Sequence, residues 1–176
     1  ATALRMTGGR CTGVEARSVG TEEAATWSAR AIVIADGGFQ ADDELLRRYI
    51  TPRPERLLQR NARTGRGAGL RMAEAAGARL VGMDRFYGHI QHRRAMTDQA
   101  LWPYPVLDSL ATSGLVVDGS ARRFCDEGLG GVFVSNAIAR LDDPLSAVIV
   151  FDEAIWNGPG RDWLLPANPC LPNAGG

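Results

Sequence analysis

The stretch DRFYGHIQHRR sets His89 and His92 beside Arg93 and Arg94, with two aromatic residues just before them. An imidazole exchanges a proton near neutrality, and a guanidinium fork grips a carboxylate through paired hydrogen bonds. Such a cluster suits a small acidic substrate, the histidine giving a proton and the arginines clamping the acid. A solvated basic loop has the same composition. A second group, GSARRFCDEGLGG, brings Arg122 and Arg123 close to Asp126 and Glu127. It reads either as ion pairs at a turn or as a proton path to a buried site. Two glycine clusters complete the set. AIVIADGGF ends an apolar run on Asp-Gly-Gly, where no Cβ keeps a ligand away from the main chain. RTGRGAGLRMAEAAG opens a helix whose first amides lack intrahelical partners and favour an electron-rich ligand edge. A tight turn and a close helix contact explain these two clusters equally well.

The elements that must position these residues can be read from period and punctuation. Residues 3–17 alternate around the TGGR turn and predict a hairpin, followed by an extended run near 25–29 and a buried strand over 31–35. Asp42 and Asp43 are suitable N-caps for a helix through Tyr49, and the two prolines of TPRPER keep the next segment irregular. Leu70, Ala73 and Gly77 fall at helical spacing within 67–78. Residues 80–108 show no period and predict a long irregular loop, a kind of segment that usually carries function. GLVVDGSARRF predicts a second hairpin around Asp-Gly, followed by a helix over 131–141 and a strand over 147–151. Beyond Trp163 the composition turns to Pro, Asn and Gly. This succession predicts an α+β fold.

Across 176 residues, 20 basic side chains balance 20 acidic ones, which gives no global field for nucleic acid or a membrane surface. Every basic residue is arginine. The three cysteines, Cys11, Cys125 and Cys170, are far apart and form neither a CxxC pair nor a zinc spacing, so a reducing cytoplasm is the expected setting. With two histidines in all, a His-rich metal site is not expected. No apolar run approaches the length of a membrane span.

In their order, the four stretches resemble the FAD-dependent flavoproteins of the fumarate reductase and succinate dehydrogenase type. That family shows a strand like VVLATGGF, a TGDG-type turn opening a helix that continues MAExxGA, a histidine-bearing loop, and a GxRFxxE hairpin. Here they read IVIADGGF, RGAGLRMAEAAGA, MDRFYGH and SARRFCDE, within roughly residues 1–152. The resemblance implies FAD as cofactor and a flavin-linked oxidation or reduction of a carbon–carbon bond next to a carboxylate. It implies that Ala35, Asp36, Gly37 and Gly38 lie against the flavin. Arg66, Gly67, Ala68 and Gly69 match the TGDG turn. His89 matches the substrate-binding histidine, and Arg123 and Glu127 match the GxRFxxE elements. His89, Arg123 and Glu127 form the expected catalytic set, with His92, Arg93 and Arg94 binding the substrate.

The sequence departs from the family in four places, one being that Ile90 and Gln91 follow the histidine where the family has Pro-Thr. Asp36 stands where the family has threonine, Ala68 where TGDG has its acid, and Gly131 where fumarate reductases carry their proton-donating arginine. Gly directly after Asp-Glu is nearest in pattern to tricarballylate dehydrogenase-like oxidoreductases. Family members open with a GxGxxG dinucleotide fold, so the chain resembles a middle fragment. Residues 1–66 would be the C-terminal part of an FAD-binding lobe, a β-meander plus a strand, and 67–176 a truncated capping domain. On that expectation the missing lobe portions are its partners, and FAD is held by the full-length parent rather than by this chain alone. A non-catalytic α+β binding domain and a ketosteroid-type dehydrogenase of the same superfamily are the alternatives.

Overall fold

Gly8 and Gly9, both at positive φ, make the two-residue turn that joins β1 (Ala3–Thr7) to β2 (Arg10–Arg17). The computed structural model describes residues 1–60, 62–103 and 105–161. The segment rich in Pro, Asn and Gly after Trp163 lies outside the described residues, as does Cys170. Contacts group the chain into two units, Ala1–Leu46 with Asn61–Met83, and Arg47–Arg60 with Asp84–Gly176.

In the first unit, β2 also pairs antiparallel with β3 (Ala24–Ser28), giving a three-stranded meander in sequence order. The helix α1 (Asp43–Tyr49), whose residues from Arg47 on belong to the second unit, begins where the Asp42 carboxylate accepts the Leu45 amide at 2.9 Å. Acids in its first turn and arginines in its last complement the helix dipole, and Leu45 and Leu46 are buried. Asp42 also pairs with Arg71 of α2 (Ala68–Ala75) at 2.8 Å. The Leu45 amide, with Arg71 second, holds the Asp42 carboxyl below the usual range.

The buried strand expected over 31–35 is not formed. These residues carry no strand pairing, and Val33 is 88% and Ile34 41% exposed. The apolar run satisfies one requirement of a core strand, but no ladder in the described structure supplies the other.

In the second unit, Ile90, Ala111, Val116 and Val134 form the core, with Leu107, Phe124, Cys125, Ile138 and Ile149 packed around them. They come from α3 (Asp108–Ser113), β4 (Leu115–Val117), α4 (Gly131–Ala139), β5 (Val148–Val150) and the connecting loops. A final helix, α5 (Glu153–Asn157), is capped by Asp152. The expected long loop contains two short 3-10 turns, Arg93–Met96 and Gln99–Leu101, and gives way to α3 at its end.

The hairpin expected over 114–124 is corrected. β4 pairs antiparallel with β5, and the return segment touches β4 only through a bridge between Val117 and Arg123. The reason lies in the acids after the strand. Asp118 accepts the amides of Ser120 and Arg122, which curls the chain tightly. Asp126 then caps the 3-10 turn Glu127–Leu129, and Glu127 reaches back to accept the Val116 amide at 2.8 Å. A side chain thus replaces the missing strand partner.

Glu127 is only 4% exposed, and its second oxygen accepts both Nε and Nη2 of Arg123, at 2.9 and 2.7 Å. Burial pushes its pKa up, but the Arg123 guanidinium and the Val116 amide outweigh this and leave it below the ordinary value. A depressed folded pKa means that the stabilisation is complete at neutral pH and is lost as pH falls through the carboxylate range, below about 4. Burial also pushes the Cys125 thiol up, as expected for an inert core cysteine. Among the described residues, no helix is long and apolar enough to cross a membrane, and no group of His, Cys, Asp or Glu could hold a metal ion. Glu127→Gln is expected to cost about 2 kcal/mol at pH 7. In urea denaturation, its gap from wild type should narrow at pH 3, where the wild-type carboxyl is itself protonated.

Candidate active site

The segment from Phe86 to Ile90 has no regular structure of its own, so its backbone groups must be satisfied from outside. Helix α4 provides most of the partners. Asn136 accepts the Phe86 amide at 3.0 Å and donates to the Phe86 carbonyl at 2.8 Å, and Ser135 Oγ donates to the Gly88 carbonyl. Arg140 donates to the Asp84 carbonyl one turn further on. At the far end Asp108, the first residue of α3, accepts the Ile90 amide on Oδ1 at 2.9 Å. Two helices thus fix the histidine loop by both ends.

Asp108 uses its other oxygen for His89. Oδ2 lies 2.7 Å from Nδ1, and the two side chains are 16% and 17% exposed. An ionised carboxylate only accepts, so Nδ1 carries the hydrogen and Nε2 is the ring atom left for other chemistry. Tyr87 stands edge-on to the imidazole with centroids 5.2 Å apart, and is itself 76% exposed. Sequence reasoning found His89 but missed Asp108, Ser135 and Asn136. A helix-opening acid nineteen residues downstream carries no local sign that it will meet a histidine.

The other expected site residues are deployed differently. His92 Nδ1 accepts the Arg94 amide and caps the 3-10 turn that follows. Arg93 reaches the Ala147 carbonyl at 3.4 Å, and Arg94 pairs with Asp98 at 3.4 Å. Arg123 and Glu127 brace β4, as described above. Among the described residues, none of these five shares a hydrogen bond or ion pair with His89.

In the first unit the two glycine clusters do meet. The Gly67 amide donates to the Gly38 carbonyl at 3.1 Å, and the Gly69 amide donates to Asp36 Oδ2 at 2.7 Å. A Cβ at Gly69 would stand 2.2 Å from Asp36 Oδ1 and 2.3 Å from Ile34 Cγ2, so only glycine allows this approach. Arg66 and Ala68 are exposed, and Gly67 and Gly69 are buried. Ala35, Asp36, Gly37 and Gly38 are all exposed; Gly37 sits at φ 88° with nothing within 4 Å of where its Cβ would be.

Residues 1–155 match the FAD binding domain family, and the chain belongs to that family. FAD is the cofactor this membership assigns. No curated protein matches the chain. Among solved structures, the chain is similar to 3-ketosteroid-delta4-(5alpha)-dehydrogenase from Rhodococcus jostii RHA1, determined in complex with 4-androstene-3,17-dione. The identity is 21% and the TM-score 0.58, over 89% of this chain and 29% of that one, so the likeness is one of fold and this chain spans under a third of that protein's length.

The residues fit FAD at one place and not at another. The bend at Ala35–Gly38 is exposed, and at Gly37 it offers bare main chain that a planar ring system can approach. The α2 N-terminus does not offer its Gly69 amide, because the Asp36 carboxylate already takes it. Gly69→Ala is expected to expel that carboxylate and cost about 1–3 kcal/mol in urea denaturation. Gly37→Ala meets no atoms and should destabilise less, through backbone strain alone.

Proposed function

We propose that the chain forms part of an FAD-dependent oxidoreductase that adds or removes hydrogen across a carbon–carbon bond next to a carbonyl group. The observation that carries this reading is the exposed bend at Ala35–Gly38, where nothing lies within 4 Å of a Cβ at Gly37, in a chain of the FAD binding domain family. Bound FAD supplies the two-electron step. In the first unit, the main chain at Ala35–Gly38 would hold the cofactor. In the second unit, His89 is the residue suited to exchange a substrate proton through Nε2. In the oxidising direction one carbon gives up a hydride and its neighbour a proton; in the reducing direction both return.

Two substrate classes fit this chemistry. The first is a small carboxylate, supported by His89 in the histidine-loop position and by the resemblance to fumarate reductase and tricarballylate dehydrogenase. The second is a ketosteroid, supported by the fold likeness and by two features of the histidine loop. Arg93 and Arg94 are engaged by Ala147 and Asp98, and the ring touching His89 is the largely exposed Tyr87. An aromatic ring against the imidazole suits a flat, apolar substrate better than a polycarboxylate.

The test uses the FAD-loaded protein that contains this chain. Adding 4-androstene-3,17-dione or a small dicarboxylate and following flavin absorbance separates the two substrate classes. Absence of FAD from that protein would leave the non-catalytic binding domain as the surviving reading. His89→Ala is expected to slow turnover about a hundredfold or more, and His92→Ala much less, because His92 only caps a turn. Equal losses would remove His89 from the chemistry.

A further inference from the structure

We infer that Asp108 is the positioning residue that makes His89 the proton-exchanging group, and that it does so from the space an arginine at position 131 would need. The inference rests on the oxidoreductase reading above. Its first support is steric. A Cβ at Gly131 would lie 2.6 Å from Asp108 Cβ, 2.5 Å from Cγ and 2.7 Å from Oδ2. Turning the Asp108 side chain relieves the contacts with Cγ and Oδ2 but leaves its Cβ where it is. No side chain of any kind therefore fits at position 131 while α3 and α4 pack as they do. A proton donor carried there is excluded by shape, and the group filling its place is a carboxylate bonded to an imidazole.

The second support is the division of labour between the two Asp108 oxygens. Oδ1 takes the Ile90 amide and Oδ2 takes His89 Nδ1, so the carboxylate is held by the backbone while it orients the ring. The ring is further fixed by the edge of Tyr87, and its loop by Ser135 and Asn136. With Nδ1–H committed, the lone pair of Nε2 accepts a proton and gives an imidazolium whose Nδ1–H still faces a negative charge. In the opposite direction the imidazolium returns that proton from Nε2. The pair loses or gains one proton in each half-cycle, at Nε2.

The test begins with ring-nitrogen NMR on the 176-residue chain without cofactor. Wild-type His89 should show a protonated Nδ1 and an unprotonated Nε2 in its neutral form; a dominant Nε2–H tautomer overturns the inference with no variant required. In Asp108→Asn, the amide oxygen can still take the Ile90 amide, which turns the NH2 group toward Nδ1. That nitrogen must then accept, and the tautomer should invert. In the FAD-loaded protein, Asp108→Asn is expected to lower turnover roughly a hundredfold or more while FAD content is unchanged. Asp108→Asn combined with His89→Ala should be no slower than His89→Ala alone. Unchanged turnover in a variant whose tautomer has inverted would reject the assignment. Should Asp108→Asn fail to fold, Asp108→Ala, which removes the acceptor from Nδ1, should weaken the tautomer preference; retention of the wild-type tautomer there would count against the inference. A protein without FAD defeats the oxidoreductase reading itself, and is seen before turnover is measured.

Discussion

A single carboxylate, that of Asp108, joins the two parts of the second unit that matter most. It starts α3, whose Leu110 and Ala111 are buried, and it holds the loop that carries His89. Neither oxygen is spare: one satisfies a loop amide that has no secondary-structure partner, and the other fixes an imidazole. Burying a carboxylate this far is unfavourable unless both oxygens are hydrogen-bonded. That condition fixes the register between the histidine loop and the helix.

Glu127 repeats the same strategy a short distance along the chain. Its carboxylate takes the place of a β-strand, bonding the Val116 amide on one side while Arg123 neutralises it on the other. The consequence is a β4–β5 pair closed by a 3-10 turn instead of a hairpin. In the first unit Asp36 and Asp42 act likewise, each accepting an amide near the start of a helix. Much of this fold is organised by acids reaching back to main-chain donors, and the many arginines serve largely to balance them.

How far the sequence foretold this depended on the range of the interactions. The Gly8–Gly9 turn, the Asp42 cap and the helices near 43–49, 68–75 and 131–139 rest on contacts within a few residues, and local pattern was sufficient for them. The strand at 31–35 was misread because an apolar run reports what a segment prefers, not whether a neighbour exists to pair with it. The second hairpin was misread because Asp-Gly signals a turn without saying whether the following acids will capture the strand's amides. The meeting of the two glycine clusters was not read from the sequence, since the hydrogen bond between Asp36 and Gly69 spans 33 positions and has no local signal. His89 was visible as a reactive residue type; Asp108, which gives it direction, was not.

The interlock between Gly131 and Asp108 also restricts the routes by which such a protein can change. A mutation that installs a side chain at 131 collides with Asp108, and one that removes the Asp108 carboxylate strands the Ile90 amide and frees the imidazole. Each single step passes through a damaged intermediate, and replacing the carboxylate does not by itself open position 131, because any side chain at 108 keeps the Cβ that lies 2.6 Å from a Cβ at 131. The two positions therefore form an epistatic pair, and a lineage that has settled on glycine with aspartate is held there by geometry even when selection for a different proton donor is strong.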